Sequence, residues 1–384
     1  MLLYLTIFLI PVFVYLLTAE KPSKYRNYTF LLTYVGGLAI FVGIADMLGG
    51  YDRYIYGELF DYVADQLKAG VPFYKTLIFE QYPSELGFDM LNVLIGFITR
   101  NRYIFILIVT LLIYSSLFVA LKKYVENYPF AIVLFLALMF FFTFTYLRQI
   151  LAVSIIWHSI PYIEKRKKWK FLLIAVISAT FHNSTLLFVP FYFMPIKKFS
   201  KDSVVWIMLA CFLIGLWGPI NSLYDAYADV SGDTSRMAGY EVGSGFRIAY
   251  FIEAVFFLFF ILNNYEKVGH NKLQIILLNM AIIFCGVLLV FIQSENGGRL
   301  SWCFFIGLIA TLTSLATRIK YANSISMVLI VVSLFLYMRI FIAWQAYLNL
   351  YPYKTFFTDG YRDGDYTWEL YEYDHNYDED KFYR

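Results

Sequence analysis

The chain has 384 residues, is 60% hydrophobic and 15% charged, and contains 39 Phe and 34 Tyr at a net charge of +3. A soluble globule of this length needs far more charged surface, so the composition excludes a cytosolic enzyme or binding module and identifies a polytopic membrane protein. The small net charge gives no sign of nucleic acid as a partner; where the charges fall matters more.

Met1–Leu17 is apolar, with no basic leader region and no small-residue cleavage site, and reads as a retained first span rather than a signal peptide. Further apolar runs near spanning length occupy 29–48, 103–121, 129–147, 203–220, 246–262, 273–292, 301–317 and 324–348. Between them lie the basic clusters: Lys21, Lys24 and Arg26; Lys122 and Lys123; EKRKKWK at 164–170; Lys197, Lys198 and Lys201; Lys267 and Lys272; Arg318 and Lys320. By the positive-inside rule these loops are cytoplasmic. The acidic 49–84 and 221–245 loops and the tail after Tyr351 then fall outside.

The stretch FFFTFTYLRQILAVSIIWH, from Phe140, carries Arg148 and Gln149 in its middle. As one helix, residues 130–163 would run about 51 Å against a hydrocarbon core of about 30 Å. A break is therefore expected near Arg148, with 129–147 running outward and 150–163 returning. The same alternation makes 84–99 a short re-entrant or interfacial helix, which leaves Arg100 and Arg102 awkwardly on the external side. It also makes 171–194 a shallow helical hairpin around FHNS. Residues 1–350 read as one membrane domain without internal repeats. The tail, 351–384, is acidic, rich in tyrosine and without apolar period, and is expected to be external and partly disordered.

Once the spans are drawn, polar residues remain stranded on the external side: Arg148 and Gln149; His182, Asn183 and Ser184; Glu241, Arg247 and Glu253; and Glu295 and Arg299 in QSENGGR. The first loop adds Asp52, Arg53, Glu58, Asp61, Glu80, Tyr82 and Glu85. External arginines run against the positive-inside trend. A guanidinium offers a planar fork that matches phosphate oxygens and stays charged at any relevant pH, so several converging would form a diphosphate site. The alternative is internal pairing, Arg247 with Glu253 and Arg299 with Glu295; no acid lies within the helix turns around Arg148. His182 is either a neutral base for a sugar hydroxyl or a helix-packing hydrogen bond. His158 reads as core, His270 as cytoplasmic and His375 as tail. Cys211, Cys285 and Cys303 have no metal-ligand spacing and read as small buried hydrophobes. No phosphate-cradling P-loop, dinucleotide fingerprint or metal motif occurs, so no cofactor and no metal are expected.

Five segments, GGYDRYIYGELF at 49–60, SELGFDMLN at 84–92, LRQILAVSI at 147–155, ATFHNSTLLFVPFYF at 179–193 and GGRLSWCFF at 297–305, resemble the EpsG-like branch of the Wzy-type bacterial polysaccharide polymerases in order and spacing. The most specific pair is Arg-Gln followed by His-x-Ser, intact here as Arg148–Gln149 and His182/Ser184. The family's first motif often has arginine before Gly-Thr-Asp-Tyr; here Arg53 follows the aspartate and would supply that contact from a shifted position.

The resemblance implies a GT-C-like bundle of about 10–12 transmembrane helices, some broken or re-entrant. It also implies metal-independent glycosyl transfer at the outer face of the bacterial cytoplasmic membrane. The partners would be glycans on undecaprenyl diphosphate, membrane lipid, and a chain-length regulator and flippase of the same pathway. On this reading Arg148, with Arg299 and Arg247, holds the diphosphate, and His182 takes the acceptor proton. Gln149, Ser184, Asp52, Arg53, Glu58, Glu85 and Glu295 contact sugar or position these groups, and Tyr51, Tyr54, Tyr56 and Tyr82 stack on sugar rings or anchor the interface. A glycan ligase shares this chemistry. A lipid-linked oligosaccharide flippase shares its broken helices and buried charges. A membrane O-acyltransferase would need the histidine reachable from the cytoplasm.

Overall fold

A computed structural model of the chain describes residues 1–18, 26–217, 245–294, 297–318, 322–343 and 350–358. These residues are helical with no β-strand; Ala45 and Thr355 form an isolated bridge. In chain order the helices are α1 (Leu2–Thr18), α2 (Tyr28–Gly43), α3 (Tyr51–Lys68), α4 (Leu77–Gln81), α5 (Leu86–Gly96), α6 (Arg102–Tyr124), α7 (Tyr128–Leu138) and α8 (Phe142–Thr145). There follow α9 (Leu147–Ile156), α10 (Ile160–Glu164), α11 (Lys168–Ala179), α12 (Lys201–Trp217), α13 (Ile248–Asn263), α14 (Lys272–Val290), α15 (Phe305–Arg318) and α16 (Ala322–Ala343). Two longer 3₁₀ segments, Asn183–Phe193 and Gly297–Phe304, join the set.

Three stretches among the described residues are long and apolar enough to cross a bilayer, Arg102–Tyr124, Lys272–Val290 and Gly297–Thr317, and several shorter apolar helices accompany them. The protein is a helical membrane protein. With 23 residues, α6 is about 35 Å long and exceeds the hydrocarbon core. Asparagine starts four of the apolar helices. Asn27, Asn101, Asn127 and Asn271 each accept from a backbone N–H of the first turn, of α2, α6, α7 and α14 respectively. The core is one continuous apolar cluster in which α14 packs on α12, α13 and α15, α2 on α6, and α7 on α1 and α16.

Basic loops meet at one end of the bundle. Arg26 Nη2 donates to the Val125 carbonyl at 3.3 Å, Lys198 Nζ to the Val268 carbonyl at 3.4 Å, and Lys201 lies 3.8 Å from Glu266. The opposite end is more ordered than the sequence suggests. Residues 49–84, expected as a loop, fold into α3 and α4. The cause is an amphipathic face: Tyr54, Phe60, Val63 and Ala64 are buried while Tyr62 is exposed, with Asp52 in the first turn of α3 and Lys68 in the last. This helix also explains the two misplaced arginines. Asp61 pairs with Arg102, and Asp65 sits 3.7 Å from Arg100. The expected short helix in 84–99 is α5.

The break in 130–163 comes earlier than expected, at Met139–Tyr146, so that Arg148 sits in the first turn of the returning helix α9. Its chemistry is local. The Thr143 hydroxyl bonds its own chain at the Phe140 carbonyl, 2.6 Å away, and the Tyr114 hydroxyl at 2.9 Å, in place of a continuing ladder. Helix α11 and the 3₁₀ segment Asn183–Phe193 form the hairpin expected at 171–194, tied to α9 by Ser178 Oγ donating to the Ala152 carbonyl at 2.7 Å. The start of the tail does not trail away. Tyr353 stacks on Phe41 at 4.1 Å, and the backbone amides of Asp46 and Phe356 donate to Lys354 and Ile44. Residues 359–384 and most of the 221–245 loop, with Glu241, lie outside the described residues.

Candidate functional site

At the end opposite the basic loops, α3 and the turn before α5 converge on Arg148, with the tip of the 171–194 hairpin and the 3₁₀ segment Gly297–Phe304 beside them. The break at 139–146 presents its guanidinium to the start of α3 and to the turn before α5. Glu85, fully buried, takes one side as an ion pair, and Tyr56 Oη accepts from Arg148 Nε at 3.2 Å. The guanidinium lies over the Tyr82 ring, its carbon 3.7 Å from the centroid. Attraction to the ring quadrupole adds roughly 2 kcal/mol at a desolvated site. Glu85 is held in turn by the backbone amide of Asn183, 3.3 Å from Oε1, and Asn183 Nδ2 donates to Ser84 Oγ at 2.7 Å. The hairpin tip and the turn before α5 are thus locked together through the arginine's counter-ion.

A second chain of bonds runs through the neighbouring residue. Gln149 Nε2 donates to Ser184 Oγ at 3.2 Å and to the Arg299 carbonyl at 3.3 Å; its Oε1 is buried with no hydrogen-bond partner among the described residues. Ser184 Oγ lies 2.8 Å from His182 Nδ1, which also accepts the Ser184 backbone N–H at 3.2 Å. An amide N–H cannot donate to a protonated nitrogen, so Nδ1 is the acceptor and the imidazole proton sits on Nε2. Because Gln149 donates to the serine oxygen, the serine hydroxyl hydrogen points to Nδ1.

Arg299 stands on the Tyr146 ring, 4.6 Å from the centroid. Asp52, in the first turn of α3, feels both arginines: burial pushes its carboxyl above the ordinary range, and Arg299 and Arg148 pull it back. Arg247 opens α13, its backbone amide bonded to the Ile292 carbonyl at 2.8 Å, and shares the electrostatic surroundings of Tyr250 with Arg299.

The cluster therefore gathers Arg148, Gln149, His182, Ser184, Glu85, Arg299 and Asp52, with Arg247 at its margin. Arg53 is not in it: the side chain is fully buried and its Nη2 donates to the Gly43 and Ala45 carbonyls, at 3.3 and 2.8 Å. Glu58 accepts from the Tyr54 hydroxyl at 2.9 Å along α3. Glu295 lies outside the described residues. The acid for Arg148 is Glu85, 63 positions away in sequence, and Glu253 pairs with Arg339, not Arg247. Arg339 escapes the sequence reading because it lies inside an otherwise apolar run; its charge alone was the available signal. Tyr56 and Tyr82, read as sugar platforms or anchors, contact the arginine.

The EpsG family profile matches residues 37–355. The chain belongs to the EpsG family. No curated protein and no solved structure is significantly similar to it. The region shared with the EpsG family runs from within α2 to beyond α16, so it contains every member of the cluster and Arg339, and leaves out α1.

Proposed function

We propose that this EpsG-family protein is a Wzy-type polymerase with a GT-C-like architecture, joining oligosaccharide repeat units carried on undecaprenyl diphosphate at the outer face of the bacterial cytoplasmic membrane. The observation that carries the reading is the convergence of Arg148 and Arg299 with a Gln149–Ser184–His182 hydrogen-bond chain on one end of an apolar bundle. Membership of the EpsG family points the same way.

In the reaction the oxygen of an acceptor sugar hydroxyl attacks the anomeric carbon of the growing glycan. The carbon–oxygen bond to diphosphate breaks, and the electron pair leaves with the diphosphate. Fixed guanidinium charge where that negative charge develops lowers the barrier, and a rigid fork needs no reorganisation to do so. Glu85, Tyr56 and Tyr82 hold Arg148 in one orientation beforehand, and Tyr146 does the same for Arg299. The acceptor proton passes to Ser184 Oγ as the serine proton moves to His182 Nδ1, which makes His182 the final base. The unpartnered Gln149 Oε1 would receive a substrate hydroxyl. Asp52 and Glu58 line the approach from α3. No metal takes part in this scheme.

The deciding experiment is the analysis of undecaprenyl-linked glycans in cells lacking the protein. Accumulated single repeat units facing outward support the reading. Long polymer left on its carrier would indicate a ligase instead, and units retained on the cytoplasmic side a flippase.

A further inference from the structure

Next to the Arg148 cluster, on the far side of Arg299, lies a small cleft between α7, α13, α14, α16 and the 3₁₀ segment Gly297–Phe304. Its floor holds an ion pair, Arg339 Nη1 to Glu253 Oε1 at 2.7 Å, joining α16 to α13. Arg339 Nε has no hydrogen-bond partner among the described residues. Charges within apolar helices are expensive, and a buried ion pair is a poor way to stabilise a bundle that well-packed apolar residues hold at least as well. A pair that keeps some exposure, 22% for the arginine and 11% for the glutamate, and lines a cleft is better explained by what enters it.

Part of the wall is apolar, with Leu138 and Leu288, and the part beside the ion pair suits a sugar. Trp302 lies 5.0 Å from Phe142 and 5.6 Å from Tyr146, centroid to centroid, which makes a continuous aromatic surface beside the charged pair. Apolar ring faces next to a carboxylate and a guanidinium match a pyranose, whose axial C–H bonds form an apolar face and whose rim carries hydroxyls that both donate and accept. Arg299 and Tyr146 belong to this cleft and to the diphosphate cluster alike. A ligand whose phosphates sit at the arginines therefore has its first sugars beside the Glu253–Arg339 pair.

We propose that this cleft is a sugar subsite, in which Glu253 and Arg339 hydrogen-bond the hydroxyls of the diphosphate-proximal sugar while Trp302 and Phe142 stack on its ring. The proposal rests on the polymerase reading above, but separates from it experimentally. Purified full-length protein in lipid nanodiscs is titrated with two probes, lipid-linked repeat units from the producing cell and bare undecaprenyl diphosphate. Glu253→Gln is expected to weaken binding of the glycosylated lipid about tenfold and to leave the bare lipid unchanged. Arg148→Lys weakens both. The double variant Glu253→Gln/Arg339→Gln removes both charges at nearly constant volume; it gives the same split if the single variant fails to insert. Equal losses for the two probes, or no loss for either, overturn the subsite alone. Wild-type protein that binds neither probe overturns both readings.

Discussion

Arg148 is built into the protein with its counter-ion, and that decides which substitution is informative. Removing the arginine altogether strands Glu85 as an uncompensated buried charge, at a cost of about 3–5 kcal/mol, so Arg148→Ala tests folding more than function. Arg148→Lys keeps the charge and loses the fork. Polymerisation should fall sharply while the amount of protein in the membrane stays at the wild-type level, read by immunoblot beside glycan length on gels. Full-length glycan from this variant would remove the arginine from the chemistry. His182→Ala should lower the polymerisation rate by about 10²–10⁴-fold, the usual range for a lost acid–base group, and Ser184→Ala should fall in the same range because it cuts the same proton path. A wild-type rate in Ser184→Ala with a dead His182→Ala would mean that the histidine acts directly. Residue types and spacing are enough to nominate Arg148, Gln149, His182, Ser184 and Arg299. What they cannot show is pairing. Glu85 lies 63 positions from Arg148, and no helical period links the two. The same limit hides the Arg53 burial, since a loop arginine and a buried one look alike in a string of letters.

Among the elements, α3 and the break before α9 matter most, because they bring the first-loop acids up to the arginine. The break was legible from length alone, since no bilayer accommodates 34 residues of straight helix. Its position was not, because the Thr143 hydroxyl that interrupts the ladder is one of several threonines in the run. Close approach holds the two elements together. Gly50, just before α3, packs on Thr145, whose Cα would lie 3.3 Å from an added Cβ and whose side chain would lie closer still. A side chain at this position would force Thr145 or the start of α3 to shift. Gly50→Val should therefore displace the start of α3, and with it Asp52 and Tyr56. The expected outcome is loss of polymerisation with a lower melting temperature, and normal activity would show that α3 is placed by its later turns instead. Helix α3 itself was missed because its acidic residues suggested a solvated loop; those same carboxylates, Asp61 and Asp65, serve to neutralise Arg102 and Arg100.

Among the described residues, most charges gather at two ends of the bundle. The basic loops meet at one, and paired arginines occupy the other. The alternation of spans was readable because apolar runs and lysine clusters are strong signals, whereas Arg339 stayed hidden because a single charge hardly changes a window average. A reaction carried by guanidinium groups and an imidazole predicts indifference to chelation: polymerisation by the purified protein should persist in EDTA, and its loss would require a metal in the scheme.

The first helix also meets α16 and the segment after it. Tyr4 Oη donates to the Leu350 carbonyl at 2.7 Å, Tyr337 Oη donates to the Tyr4 carbonyl at 3.0 Å, and Leu350 packs on Gly49 beside the start of α3. The start of α3 thus leans on a residue that follows α16 in the chain. A chain truncated before Leu350 would keep α1 to α16 and every residue of the cluster yet lack the buttress under the start of α3. Such a truncation is expected to free the start of α3, and with it Asp52 and Tyr56, although every group of the cluster is still present.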